Sequence, residues 1–283
     1  ISACLVGSEM CIRDRYCVDG SYRPLRGAAA ARLGCPQSGG PSAFVSAHPA
    51  LFGASGFAHH PYSFFLAPNT SMPDANFAPL ADLGRVERGL DWIMRAYGLK
   101  HRLPLWLTEY GYETDPPNPF RGVSPRLQSL YLNEAQYMAF RDPRVRGLSQ
   151  FLLFDARPDT SYPPGSPGYW STFQTGLLYA GGEPKPSLAS YRLPLFLPDP
   201  VLGASRRVLL WAWLRPAVPG TRQTVSIQWR TQRGAYRTID RMTVQNPGEV
   251  LVAEVGLPGP GVVRIAWRPP GSTVLYSRGS GVS

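Results

Sequence analysis

The feature that most constrains this chain is an alternation of apolar runs and amphipathic stretches between residues 54 and 195. Ala54 to Ala58 is a short apolar run that stops at His59-His60-Pro61-Tyr62. Asp82 to Tyr97 places Leu83, Val86, Leu90, Ile93 and Met94 at helical spacing, with Gly98 positioned to cap the helix. Leu103 to Thr108 is a second apolar strand, ending at Glu109-Tyr110-Gly111-Tyr112. Ser124 to Arg141 predicts another helix, with Ser124 as N-cap and Pro125 at its first position. Its expected apolar face is Leu127, Leu130, Tyr131, Ala135, Met138 and Ala139. Val145 to Phe154 reads as a third strand, and Lys185 to Leu195 as a closing helix. Strands without polar alternation, separated by helices, are the pattern of βα units around a parallel sheet. Polar and aromatic residues gather where each strand ends, which in a barrel is the active-site face.

Beyond Pro194, Pro198 and Pro200 the rhythm changes. Val208–Leu214, Thr224–Arg230, Tyr236–Thr243, Val250–Val255, Val262–Trp267 and Thr273–Ser277 are short strands separated by Pro/Gly turns, the spacing of a β-sandwich. Trp211, Trp213, Trp229 and Trp267 fall on these strands; they form either the sandwich core or a sugar-binding face. The expected organisation is a foreign, artefact segment at 1–15, an α/β part at 16–197 and a β-sandwich domain at 198–283.

The formal charge of +10 raises nucleic-acid binding. The cations are arginines apart from Lys100 and Lys185, and they are scattered, with no run longer than Arg206-Arg207. The clustered footprint of a nucleic-acid binder is missing, so no nucleic-acid partner is expected. No apolar run is long enough to span a membrane. Cys17 and Cys35 enclose a loop containing Pro24, Gly27 and Gly34, and a disulfide between them suits an exported protein. No metal-ligand spacing is present, and no metal site is expected.

Glu109 is the sharpest chemical signal: a carboxylate directly after an apolar strand, where a barrel projects side chains into its mouth. Retaining glycosidases need such a carboxylate as nucleophile, with a second carboxyl about 5–5.5 Å away as acid/base. His59, His60 and Tyr62 close the preceding strand and are candidates to bind sugar hydroxyls or orient the carboxylate. Tyr110, Phe154 and Trp170 are candidate stacking residues, and Asp155 a candidate partner for a hydroxyl.

Ala58-His59-His60-Pro61-Tyr62 and Leu105-Trp106-Leu107-Thr108-Glu109-Tyr110-Gly111 resemble two motifs of the large glycoside hydrolase clan of (β/α)8 TIM barrels that includes cellulase-like and xylosidase-like families. The first is similar to the His-Pro-Tyr that ends strand six, the second to the Thr-Glu-x-Gly nucleophile motif of strand seven. Gln150 to Asp155 is similar to strand eight, where the clan often has Trp and this chain has Phe154. Gly176-Leu177-Leu178 and Lys185-Pro186-Ser187 resemble the approach to the last helix. The resemblance implies the C-terminal part of a barrel, about strands six to eight. It also implies hydrolysis of O-glycosidic bonds of a poly- or oligosaccharide with Glu109 as nucleophile. No cofactor is needed, since two carboxylates suffice. A secreted bacterial protein, monomeric when full length, is expected. The alternative is a non-catalytic cell-surface carbohydrate-binding protein that keeps a barrel scaffold.

The clan's acid/base follows an Asn at the end of strand four, whereas Asn133-Glu134 here lies within a helical pattern. Leu5 to Arg15 resembles a translated transposon adaptor from sequencing-library preparation, with nothing in it that asks to be buried. The expectation is therefore a fragment whose acid/base lies upstream. Such a piece leaves strand edges unpaired and half a core uncovered, and is expected to be inactive and poorly soluble by itself.

Overall fold

Residues 8 to 15, expected to carry no structure, form helix α1 (Ser8–Arg15), and Ile12 within it is buried. The computed structural model describes residues 8–36, 39–74, 76–245, 248 and 250–283, with side chains from residue 12 onward; Cys4 and the start of the adaptor-like segment, residues 5–7, lie outside them. Two compact units result: one runs up to Gly111 and adds Met138–Phe151, the other comprises Tyr112–Tyr137 and Leu152–Ser283.

In the first unit α1 is followed by short helices α2 (Gly27–Arg32), α3 (Gly40–Ala47) and α4 (Pro49–Phe52). Phe44, Phe52 and Tyr97 pack ring against ring, Tyr16 meets Phe52 edge-on, and the Tyr97 hydroxyl donates to Tyr16 O at 2.6 Å. Cys17 and Cys35 are disulfide-bonded, as expected, with Cα atoms 5.8 Å apart. The loop it closes, of sequence separation 18, predicts a stabilisation of about 3 kcal/mol from chain entropy. The Cys17→Ser/Cys35→Ser variant should unfold at correspondingly lower denaturant, and an unchanged midpoint would show that the bridge contributes nothing.

Strand β1 (Phe57–His59) precedes helix α5 (Leu83–Ala96) and strand β2 (Leu105–Tyr110). The helical repeat is realised residue for residue: Leu83, Val86, Leu90, Ile93 and Met94 are all buried. Gly98 ends the helix at φ 76°, and Leu99 N bonds back to Met94 O. Helix α6 (Pro125–Arg141) begins as expected, with Leu127 N donating to the Ser124 hydroxyl. Strand β3 (Val145–Gln150) completes a parallel sheet of order β1-β2-β3. Arg144 ties this sheet to α5, donating to Leu103 O at 2.8 Å and to Asp91 Oδ1 at 2.9 Å.

In the second unit α6 buries Gln128, Ser129, Leu132, Asn133, Ala135 and Gln136. The expected apolar face is only partly realised, because this helix packs through hydrogen bonds. Gln128 Nε2 donates to Tyr112 O, Ser129 bonds Ser190, and Asn133 bonds Ser190 O and Leu195 N. Ser190 lies in helix α7 (Pro186–Arg192). Strand β4 (Leu195–Phe196) pairs with β5 (Arg207–Ala212), and β5 with β8 (Leu251–Gly256). A second antiparallel sheet joins β6 (Gln223–Arg230), β7 (Arg237–Val244), β9 (Gly261–Trp267), β10 (Leu275–Tyr276) and β11 (Ser280–Val282). Leu210, Val255, Val225, Ile227, Val263 and Ile265, drawn from both sheets, belong to one apolar cluster, and Trp229 and Trp267 lie in it. Trp211 is 1% exposed. Three of the four tryptophans are therefore interior residues and do not form an outer face.

Candidate active site

The first unit assembles its polar groups at the C-terminal end of β2. Along β2, Leu105 and Leu107 are buried while Trp106 and Thr108 are exposed. Strict alternation would bury Glu109 as well. The β2–β3 register slips between Leu107 and Tyr110, and that irregularity reverses the pattern. Glu109 is left about one third exposed, at 31% of its side chain, and Tyr110 is buried at 1%.

One oxygen of Glu109 is held twice. The Tyr62 hydroxyl donates to Oε2 at 3.1 Å, and His60 Nδ1 lies 3.3 Å from the same oxygen. His60 Nε2 is 3.0 Å from the Thr108 hydroxyl. His60 therefore bridges the Thr108 hydroxyl, hydrogen-bonded at Nε2, and the Glu109 carboxylate, approached at Nδ1. Oε1 has no partner among the described residues and remains available. Sequence reasoning gave Thr108 no part in this; the signal available was its position directly before the carboxylate.

Trp106 lies on the same strand, on the face opposite Leu105 and Leu107. Pairing sets Ala58, Trp106 and Gly147 side by side. A Cβ on Gly56 would come within 2.5 Å of the indole, and one on Gly147 within 3.3 Å, so the ring lies across both glycines. It is nonetheless 46% exposed, and Ala58 beside it is exposed.

Two expected sugar contacts of this unit require correction. His59 is 5% exposed, and its Nε2 sits 2.8 Å from Ala78 O, so its ring faces inward as a strand residue one position before His60. Tyr110, buried by the same slip that exposes Glu109, stacks at 6.4 Å on Tyr62 and lies 3.5 Å from Ser63 Oγ. Its place is behind Tyr62, not in front of a ligand.

Burial lowers His59 from 6.5 to about 4; the Ala78 hydrogen bond opposes this and His60 adds to it. A depressed folded-state value means the unfolded chain binds the proton first. The neutral ring therefore costs nothing above pH 6.5, and stability is lost as pH falls from 6.5 towards 4. The shift corresponds to about 3 kcal/mol. His59→Gln should flatten that part of the pH–stability curve; an equally steep fall in the variant would assign the loss elsewhere.

The second unit holds the remaining candidates. Phe154 is 49% exposed, and Trp170 packs edge-on against Tyr169 at 5.0 Å. Asp155 is the third correction. It is buried at 5%, and its Oδ1 accepts from Lys185 Nζ at 2.7 Å and from Gly176 N at 2.9 Å, so it is an interior carboxylate and not a surface partner for a hydroxyl. Lys185 also donates to Gln174 O. Beside this pair Asn118 bonds Glu113 and Gln174. Desolvation raises the Asp155 and Glu113 carboxyls and lowers the Lys185 ammonium, against the pull of their partners.

No protein-family profile matches the chain, and no curated protein does. Among solved structures, similarity is found to an FMN-binding β-glucuronidase from Facaelibacterium prausnitzii L2-6, at 15% identity and a TM-score of 0.34 over 79% of this chain and 32% of that one. AbfB, a family 51 α-L-arabinofuranosidase from Bifidobacterium longum, gives 14% identity and a TM-score of 0.30 over 84% of this chain and 54% of that one. An engineered protein gives 14% and 0.23 over 88% and 53%. The chain thus spans about a third of the first and half of the other two. With TM-scores below 0.5 these are loose likenesses, and no family assignment follows from them.

Proposed function

We propose that this chain is part of a retaining glycoside hydrolase acting on O-glycosidic bonds of a poly- or oligosaccharide, with Glu109 as nucleophile. The observation that carries the reading is the carboxylate at the C-terminal end of the middle parallel strand, with Oε2 fixed by Tyr62 and His60 and Oε1 unengaged. A nucleophile needs that asymmetry: one oxygen oriented, the other presented to the anomeric carbon. In the first step Oε1 bonds to that carbon while the bond to the leaving oxygen breaks. The leaving oxygen takes a proton from a second carboxyl. In the second step water displaces Glu109 and gives its proton to that carboxylate.

The second carboxyl would be supplied by polypeptide outside this chain. A parallel sheet with one face exposed supports that placement, because parallel sheets are ordinarily covered on both faces. Residues 16–197 would then be the barrel-derived part and 198–283 a β-sandwich module, in keeping with two antiparallel sheets feeding one cluster. The disulfide fits an exported, extracellular protein.

The test is covalent trapping in the polypeptide translated from the intact reading frame. An activated 2-deoxy-2-fluoro glycoside, whose leaving group needs no acid, should add one sugar to the peptide containing Glu109. A label on another carboxylate, or turnover with inverted anomeric configuration, would overturn the assignment.

A further inference from the structure

The outer face of the β6-β7-β9-β10 sheet carries a second cluster that the proposed catalysis does not use. Pairing aligns Thr238 and Gln228 with Arg264, and Arg241 and Ser226 with Ala266 and Tyr276. These residues alternate with the buried Val225, Ile227 and Trp229, so they point away from the core. Arg264 is clasped between two rings, its guanidinium 3.7 Å from the Tyr236 centroid and 4.0 Å from that of Tyr276. Its Nε donates to Gln228 Oε1 at 2.8 Å. Arg230 also lies over the Tyr236 ring, at 5.1 Å, with its Nη1 donating to Thr231 O and Gln232 O.

Stacking against two rings and a bond at Nε hold the guanidinium in one plane, and no hydrogen bond or ion pair engages its two terminal nitrogens among the described residues. None of Arg230, Arg241 and Arg264 pairs with a carboxylate among the described residues. The imbalance is regional: residues 198–283 contain eleven arginines, no lysine and four acidic residues. A fixed guanidinium with an open edge fits a carboxylate bidentately. The intervening Thr224, Ser226, Thr238 and Thr243 are hydroxyl partners for a chain whose charges are separated by hydroxyls. A nucleic-acid backbone would call for denser positive charge.

We propose that this face binds an acidic polysaccharide, a chain bearing carboxylates on its sugar rings, and that Arg264 is its central contact. The choice of a saccharide among polyanions rests on the glycosidase reading; the anion-binding face does not.

The experiment is binding of the whole chain to polygalacturonate, to its fully methyl-esterified neutral form, to single-stranded DNA and to phosphatidylserine vesicles. Binding to polygalacturonate should weaken with salt, exceed binding to the neutral ester at least about tenfold, and fall about tenfold in Arg264→Gln. Arg264→Lys should fall too, since an ammonium keeps the charge but loses the fork. Arg241→Gln, exposed at the sheet's edge, removes a charge without disturbing the stack and should weaken binding in the same direction. Arg207→Gln, which removes an exposed charge from the other antiparallel sheet, should bind as the parent does, and a tenfold loss there would overturn the site by showing that net charge alone is read. Equal binding of the neutral ester, or unchanged affinity in both Arg264→Gln and Arg241→Gln, would overturn the site. DNA or vesicles bound as tightly as polygalacturonate would overturn the saccharide.

Discussion

On the proposed mechanism, Glu109→Gln in the active protein is expected to lose turnover by on the order of 10⁴-fold or more while unfolding at the same denaturant concentration. The substitution keeps shape and keeps an oxygen to accept from Tyr62 and His60. What it removes is the negative charge that, on the proposed mechanism, attacks the anomeric carbon. The loss should lie in kcat, with KM little changed, because the carboxylate bonds to substrate only as the reaction proceeds. Glu109→Ala opens space beside Tyr62, and azide should restore part of the rate by attacking in its place. Tyr62→Phe takes one of the two donors from Oε2 and should cost far less, about 10- to 100-fold. Near-normal turnover in Glu109→Gln would remove this residue from the mechanism, whatever the other variants do.

How much of this was legible in the sequence depended on which physical effect set each position. Helix α5 was readable residue by residue because burial of one apolar stripe determines it. Most strands of the three sheets were readable for the same reason, within a few residues at their ends, but β4, at the end of the expected helix Lys185–Leu195, and β11 were not anticipated. Helix α6 was located with its cap, but its packing face was misjudged, since Gln128, Ser129 and Asn133 are interior through hydrogen bonds to distant backbone. Periodicity registers apolar burial and is blind to satisfied polar burial. At the site, the tandem His59-His60 offered no means of deciding which ring faces outward; pairing of β1 with β2 decides it for His60. The exposure of Glu109 and burial of Tyr110 follow from a register slip, a property of two strands together that no single segment announces. Asp155 and Lys185, separated by thirty residues, were each noted, but their meeting is a tertiary event.

That meeting sets the largest expected effect on stability. The side chains of Lys185 and Asp155 are 0% and 1% exposed, and burial works against both charges, raising the carboxyl and lowering the ammonium despite their mutual attraction. A pair in that situation contributes little relative to apolar residues of the same volume, yet is costly to break, because the survivor is a buried charge without a counterion. Asp155 already has one oxygen, Oδ2, without a hydrogen-bond partner among the described residues. Lys185→Met should therefore destabilise the protein by about 3–5 kcal/mol, read as a shift in denaturant midpoint. Asp155→Asn should cost a similar amount by stranding the ammonium, although Asn still accepts from Gly176 N. The double variant Asp155→Asn/Lys185→Met leaves no charge behind and should recover most of the loss, giving a strongly favourable coupling energy in the cycle. Additive losses would instead mean that each side chain acts through its own bonds, Lys185 through Gln174 O and Asp155 through Gly176 N, and that the attraction between them is not what holds this part of the chain.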